Sequence, residues 1–107
     1  MSDKQNLVSN AFQVFLSEAP EHAKAWAELV QGLANASALD KKTSALAYIA
    51  VLAALNRKSG IPFHVQSAKE AGASREEVIS AILVGLPAAG HVITQVLPAA
   101  VVAYDAG

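Results

Sequence analysis

Residues 53–79, AALNRKSGIPFHVQSAKEAGASREEVI, predict the end of one helix, a break, and the start of the next. We expect the first helix to end at Ser59-Gly60, by way of the flexible glycine. The next helix, over about 62–71, has a proline in its first turn and Gly72 as a left-handed C-cap. We expect any chemistry at this break, because it sets His64 beside an interruption in the helix.

Two further helix starts are marked by capping residues. Ser74 is followed three residues later by Glu77, which is the pattern of a capping box before an apolar run. Asp40 can cap an earlier helix by accepting a hydrogen bond from the backbone N–H of Lys42 or Thr43. These signals place a third helix before the break and a fifth helix after Gly72.

The N-terminal third predicts two amphipathic helices, over 5–17 and 20–35, because apolar residues recur there at three- and four-residue spacings. A proline in its first turn marks the start of the second helix. We expect the second helix to bury one apolar stripe, which comprises Ala25, Trp26, Leu29, Val30 and Leu33.

The third helix has no charged residue over 45–55 and is apolar on every face. Such a helix belongs at the centre of a bundle, or between a bundle and a neighbouring subunit. No segment alternates polar and apolar residues as a strand would. The chain is therefore predicted to be a single all-α domain over 1–107, built from about six helices.

Prolines complicate the C-terminal helices. The fifth helix is predicted to end between Val84 and Ala89, where Pro87 either starts a new helix or kinks this one. The last helix is predicted over about 91–104, with Pro98 breaking its hydrogen-bond ladder.

Composition limits the classes of partner. Of the 107 residues, 53% are hydrophobic and 16% are charged, which is apolar for so small a domain. Some of that apolar surface therefore needs another subunit to cover it, and we expect a homo-oligomer. A net charge of −1 offers no basic patch for nucleic acid.

The absence of cysteine excludes disulfides, thiolate metal sites and dithiol redox chemistry. The N-terminal segment MSDKQNLVSN lacks the apolar core of a secretory signal, so we expect a cytoplasmic protein. The stretch 78–104 is long enough to span a membrane, but glycine, proline, histidine and glutamine interrupt it. We therefore expect no membrane partner.

The run LAYIAVLAALNRKSGIPFHVQSAKEAGASREEVISAIL, within 39–90, resembles the carboxymuconolactone decarboxylase family. The shared features are LAAL-x-R, the seven residues from Arg57 to His64, the eight from His64 to Gly72, and the paired glutamates before an apolar helix. The resemblance implies the all-helical alkylhydroperoxidase-D-like fold. It also implies assembly into trimers or hexameric rings.

The family has two branches, and the resemblance separates them. The peroxidase branch carries a Cys-x-x-Cys pair and an upstream glutamate, whose positions fall on Arg57, Gly60 and Ala45. None of these residues can act as a thiolate nucleophile, so peroxidase activity by that route is excluded. The decarboxylase branch needs no cysteine, but its arginine near the start of the long helix falls on Ser44.

The decarboxylase resemblance implies a small-molecule lactone or keto acid as substrate, with no cofactor. His64 is the acid–base candidate, because imidazole titrates near neutral pH. Arg57 is the candidate carboxylate anchor, with Lys58 as a weaker substitute. The structural alternatives are that His64 hydrogen-bonds the backbone of the break and that Arg57 is only a helix-end cation.

The other candidate residues are interpreted structurally. We expect His91 in the core or an interface, His22 facing solvent, and Trp26 and Tyr48 in the core. No two histidines share a helix at ligand spacing, so no metal site is predicted. Glu76 and Glu77 are assigned to helix capping and the helix dipole.

Two hypotheses of function remain. One is a decarboxylase-like enzyme that uses His64 and Arg57. The other is a non-catalytic member that keeps the oligomer and binds a ligand or partner as a scaffold. Polar groups converging around His64 favour the enzyme, whereas a closed apolar wall favours the scaffold.

Overall fold

The structure, a computed structural model, describes residues 7–107, and the all-α prediction is confirmed. The first two positions of the predicted first helix, Gln5 and Asn6, lie outside the described residues. Two 3₁₀ segments, Lys58–Gly60 and Gly90–Val96, connect the helices. The helices are α1 (Asn10–Glu18), α2 (Pro20–Ala36), α3 (Lys41–Ala54), α4 (Ile61–Glu70), α5 (Arg75–Leu83), α6 (Leu86–Ala89) and α7 (Leu97–Ala106).

The core forms where α3, α4, α5 and α7 pack together, with the 3₁₀ segment Gly90–Val96 against α3. Each helix contributes aliphatic side chains that are removed from water, which is the main favourable term in folding. The largest fully buried side chains are Ile49, Val65, Val78, Ile82, Ile93 and Val96, together with Ile61 at the start of α4.

The predicted caps are confirmed. The Asp40 carboxylate accepts a hydrogen bond of 2.7 Å from the Thr43 backbone N–H at the start of α3. Ser74 and Glu77 form the full capping box at the start of α5, with reciprocal bonds of 3.0 and 2.8 Å. Gly72 has a φ of +100° and follows the end of α4. These features depend only on neighbouring residues, so the sequence reveals them directly.

The prediction that the third helix ends at Ser59-Gly60 is wrong, because α3 ends at Ala54. Gly60 has an ordinary φ of −87°, and the left-handed residue is Asn56, with φ 55°. The Asn56 N–H donates to the Ala53 carbonyl at 3.1 Å, and the Arg57 N–H donates to the Leu52 carbonyl at 2.8 Å. This pair of bonds is a Schellman motif, in which asparagine can replace glycine.

The prolines begin helices instead of breaking them. Pro87 lies in the first turn of α6, which resolves the alternative that the sequence left open. Pro98 lies in the first turn of α7, so the prediction that it interrupts a helix over 91–104 is wrong. At that position its missing N–H costs no intrahelical bond. Gly90, with φ 80° and ψ −168°, makes the turn between α6 and the 3₁₀ segment in a conformation open essentially to glycine alone.

Polar contacts fix α7 to α4 and α5. The buried Gln66 side chain donates to the Ala103 carbonyl at 2.6 Å. The Tyr104 hydroxyl donates to the Ala73 carbonyl at 2.8 Å, and Lys69 Nζ donates to the Tyr104 carbonyl at 2.8 Å. Arg75 forms a two-pronged ion pair with Asp105, which lowers the pKa of that carboxyl through the Arg75 hydrogen bond and charge.

The predicted burial of the second helix is wrong for the single chain. Helix α2 packs mainly on α1, and Ala23 is its buried residue. The side chains expected in the core are exposed: Ala25, Trp26 (44%), Leu29 (53%), Val30 (46%) and Leu33 (62%). The helix is amphipathic as predicted, but its apolar face has no cover within residues 7–107.

One helical run among residues 7–107, Arg75–Ala106, has the length and apolar composition of a membrane span, with a mean hydropathy of 1.6. Core helices of soluble proteins have the same properties. Here the run consists of α5, α6, a 3₁₀ segment and α7, and it turns at Gly90. Its residues Ile82, Ile93 and Val96 belong to the core.

We expect Asn56→Ala to be less stable than Asn56→Gly by about 1 kcal/mol, because alanine pays a steric penalty at positive φ that glycine does not. Both variants lose the 3.4 Å hydrogen bond from the Asn56 side chain to Gln95. The difference between their free energies of unfolding therefore measures the cost of the positive φ alone. Urea unfolding of the two variants measures it. Equal midpoints and slopes would contradict the assignment of Asn56 as the helix terminator.

We expect acid to weaken the start of α5. The Ser74 N–H, and then Lys42 at 2.9 Å, lower the pKa of Glu77 from its ordinary value of 4.5. A carboxyl whose folded pKa is lowered stabilises the fold above pH 4.5, and that contribution is lost as the pH falls through the folded pKa. The Glu77→Gln variant should therefore lose less stability than wild type on acidification.

Thermal unfolding over a pH series measures this effect, and Glu76→Gln in the same helical turn is the control. If wild type and Glu77→Gln lose stability in parallel, the carboxylate does not carry the effect.

Candidate functional site

The antiparallel pair α3–α4 sets the register of the site. The chain turns back between Asn56 and Gly60, so residues on α3 lie across from residues on α4. Tyr48 on α3 contacts His64 on α4. One turn farther from the break, Ser44 and Ser67 line the same cleft. The facing sides of α3 and α4 therefore carry the Tyr48–His64 contact and, farther from the break, a polar cleft whose lining does not include His64.

His64 lies in the first turns of α4 and is half-buried. The centre of its ring is 4.4 Å from that of Tyr48, at an interplanar angle of 41°. The Phe63 ring meets it edge-on at 5.2 Å. Tyr48, which was predicted to be in the core, is 46% exposed, so that prediction is wrong. The imidazole is thus held by aromatic neighbours near the surface of the α3–α4 pair.

The break passes close to the imidazole, as the sequence predicted. A methyl group added at Gly60 would lie 3.4 Å from a Leu52 methyl carbon and 4.0 Å from His64 Cδ2. These are ordinary packing distances, so a glycine is not sterically required at this position.

A cleft of about 570 Å³ lies between the C-terminal half of α2, the first turns of α3 and the last turns of α4. Its wall contains hydroxyl, amide and charged groups as well as alanines. The polar lining residues are Gln31, Asn35, Ser37, Lys41, Ser44, Ser67 and Glu70. The volume of the cleft falls within the range of small-molecule sites.

The charged groups of the cleft are Lys41 and Glu70. Lys41 is the first residue of α3 and lies one helical turn before Ser44 on the same face. Seven residues separate it from Tyr48, which is about 10 Å along a helix. Lys41 therefore lies on the same face of α3 as Tyr48.

The predicted anion anchors, Arg57 and Lys58, lie at the break between α3 and α4, at the end of the hairpin away from the polar cleft. Arg57 follows the Schellman motif at the end of α3 and is exposed. Lys58 begins the 3₁₀ turn and is also exposed. The contacts to the His64 ring described above come from Tyr48 and Phe63. The role of Arg57 as carboxylate anchor stays a prediction.

The remaining histidines lie elsewhere. His22 is exposed in the first turn of α2, as predicted. His91 is exposed in the 3₁₀ segment, so it does not lie in the core of the single chain, and its alternative place in an interface stays a prediction. Within residues 7–107, no group of three or more His, Cys, Asp or Glu side chains is arranged to hold a metal ion.

The model of the carboxymuconolactone decarboxylase family matches residues 20–101, which is most of the chain. The chain belongs to the carboxymuconolactone decarboxylase family. Comparison with curated proteins and with solved structures gave no match. Family membership carries no assignment of substrate or of site residues.

Two family positions meet in the cleft. Ser44, where the resemblance puts the arginine of the decarboxylase branch, lines it. Ala45, where the resemblance puts the glutamate of the peroxidase branch, lines it as well. The cleft of this carboxymuconolactone decarboxylase family member therefore includes two of the positions that distinguish the branches, whereas Arg57 and Gly60, on which the cysteine pair falls, are not among its lining residues.

Sequence analysis did not predict that Tyr48 contacts His64, or that Lys41 and Ser67 line the cleft. Antiparallel pairing of two helices across a short break was the available signal, since residues equally far from the break then face each other. Because Tyr48 falls on an apolar stripe of α3, the sequence pattern predicted a buried side chain and not an exposed one.

Proposed function

We propose that this protein is a small-molecule enzyme of the carboxymuconolactone decarboxylase type, acting on a lactone acid or keto acid, with His64 as the proton carrier. The half-buried imidazole, packed against Tyr48 where α4 folds back on α3, is the observation that supports it. A fully buried ring would have been closed to substrate. A fully exposed ring would have no neighbouring side chains to hold it in one orientation.

The chemistry requires a single proton transfer. When a carboxylate leaves as CO₂, the electron pair of the broken C–C bond moves onto the adjacent unsaturated system. That carbon or oxygen must then take up a proton. An imidazolium held against Tyr48 can supply it and recover a proton from solvent, because histidine exchanges protons near neutral pH.

A second carboxylate on the substrate needs an anchor that does not itself react. The sequence offers Arg57, which lies near the break, for this role, and the cleft offers Lys41 as a second candidate. Ser44 leaves space in the cleft where an arginine side chain would otherwise project. We propose that Lys41 holds the anionic end of the ligand while Ser44 and Ser67 hydrogen-bond its polar groups.

We also propose that the protein is a homo-oligomer. The exposed apolar side chains of α2 support this, because a patch of four large hydrophobic residues is costly to leave in water. The same surface suits the alternative function, an oligomeric scaffold without catalysis. The serine in place of the arginine favours that alternative, so turnover must decide between the two.

We expect His64→Gln to lower turnover about a hundredfold or more, because glutamine fills similar space but cannot carry the proton. Wild type and variant are screened against small lactone acids and keto acids, with CO₂ release as the readout. The His91→Gln variant, which changes an exposed histidine on another segment, is the control. Equal rates for His64→Gln and wild type would refute the assigned mechanism, and no turnover by wild type would favour the scaffold.

We expect Lys41→Ala to raise KM about tenfold or more with little change in kcat, since it removes a charge-assisted bond that substrate and transition state share. Arg57→Ala is measured beside it, with Lys24→Ala on α2 as the control for loss of a surface cation. A rise confined to Arg57→Ala would return the anchor to the residue predicted from the sequence. No rise in either variant would contradict an anionic substrate anchor at this site.

A further inference from the structure

The two tyrosines of the chain use their hydroxyls differently. Tyr104 packs against the core, and its hydroxyl donates to the Ala73 carbonyl at 2.8 Å. Tyr48 is 46% exposed and lies outside the core cluster. Within residues 7–107 no protein group forms a hydrogen bond with the Tyr48 hydroxyl. That hydroxyl is therefore open to a ligand in the free protein.

Packing does not account for a tyrosine at this position. The residues that α3 buries are Ile49, Leu52 and Ala53, and all three are aliphatic. Tyr48 lies on the opposite, outward side with Val51, which is 52% exposed. An aliphatic side chain there would leave the core unchanged. The contact that distinguishes Tyr48 is the one with the His64 ring, at 4.4 Å between ring centres.

Tyr48 adjoins both parts of the site. It follows Ser44 by one helical turn on the same face of α3, and Ser44 lines the polar cleft. On its other side its ring contacts the imidazole. The phenol oxygen is attached to a ring that touches His64, so one small molecule can contact the hydroxyl and the imidazole together. Tyr48 thus places a hydrogen-bond donor beside the proposed proton carrier.

A phenol suits a carbonyl oxygen in this chemistry. Its pKa is near 10, so at neutral pH the hydroxyl stays protonated and acts as a donor. When CO₂ leaves, the electron pair of the broken C–C bond moves into the adjacent carbonyl system and gives an enolate. The enolate carbon then takes the proton from His64, the carbonyl re-forms, and solvent restores the proton of the imidazole. The carbonyl oxygen carries most of the developing charge, and a donor placed there stabilises it.

We infer that Tyr48 recognises the carbonyl oxygen of the substrate through a hydrogen bond from its hydroxyl, while His64 carries the proton. This inference rests on the proposed function and deepens it. It narrows the substrate to acids that also have a keto or lactone carbonyl, and it gives Tyr48 a role in selecting them. Tyr48 keeps its own proton throughout the reaction.

Binding of two matched acids tests this recognition without any reaction. Levulinate is a stable keto acid, and valerate is the same acid without the keto oxygen. The preference for levulinate over valerate should fall about fivefold in Tyr48→Phe, because one neutral hydrogen bond is lost. Comparing the two ratios cancels differences in the hydration of the acids, as in a double-mutant cycle.

NMR titration of the histidine ring protons measures the binding at the site itself. The chain has three histidines, and His64→Gln identifies the signals of His64. His22 and His91 are exposed on other segments and serve as internal references. In the free Tyr48→Phe variant the His64 signals should stay close to those of wild type, since phenylalanine keeps the ring against the imidazole. Circular dichroism verifies that the variant is folded.

Tyr104→Phe is the matched control, because it removes the other tyrosine hydroxyl of the chain. It should lose some stability but keep the wild-type preference for levulinate. On any keto or lactone acid that wild type turns over, Tyr48→Phe should lower kcat about tenfold or more, since the hydrogen bond strengthens as charge develops. Tyr104→Phe should leave kcat unchanged.

The outcomes separate this inference from the proposed function. An equal preference for levulinate in wild type and Tyr48→Phe overturns the recognition by Tyr48, and turnover by wild type would still support the enzyme. A lowered preference without turnover of any acid by wild type supports the recognition and refutes the catalysis. If neither acid moves the His64 signals of wild type, no small acid binds at His64, and both proposals are overturned.

Discussion

The structure depends on covering a helix that is apolar on every face. Over 45–55 the third helix has no charged side chain, so each of its sides must meet another apolar surface or stay exposed to water. Helices α4 and α5 and the 3₁₀ segment Gly90–Val96 each cover one side. The side left over carries Ala47 and Val51, which are exposed. The other helices within residues 7–107 therefore cover only part of the apolar surface of α3.

That central helix also determines the site. Because α4 must fold back on α3 across a short break, residues at equal distances from the break are brought together. His64 is paired with Tyr48 in this way, and Ser67 shares a cleft with Ser44. The Schellman motif at Asn56 fixes where the return begins. A shift of one residue at that point would rotate α4 by about 100° and remove His64 from its contact with Tyr48.

Local signals in the sequence predicted local structure correctly. Asp40, Gly72 and the Ser74–Glu77 box act on neighbouring backbone groups, and each lies where the sequence placed it. The position of His64 beside the break follows from the same kind of signal.

Features that depend on other parts of the fold were not visible. Asn56 took the left-handed position expected of Gly60, because several residue types can end a helix and only the hydrogen bonds decide which does. Pro98 starts a helix because the turn before it is 3₁₀, which apolar periodicity does not reveal. Periodicity showed that α2 has an apolar face, but it did not show which surface, or which molecule, would cover that face.

Helix α2 connects the proposed interface to the proposed site. The stripe of α2 faces away from its own bundle, while Gln31 and Asn35 on its other side form one wall of the polar cleft. In a single chain that wall is a helix held mainly by α1. A second copy that grips the stripe would fix the wall and so keep the cleft in one shape. Side chains that bind a ligand act best on rigid elements, because ordering a mobile wall on binding costs free energy. Self-association would then complete the cleft by holding α2 in place, with no partner residue needed in the cleft itself.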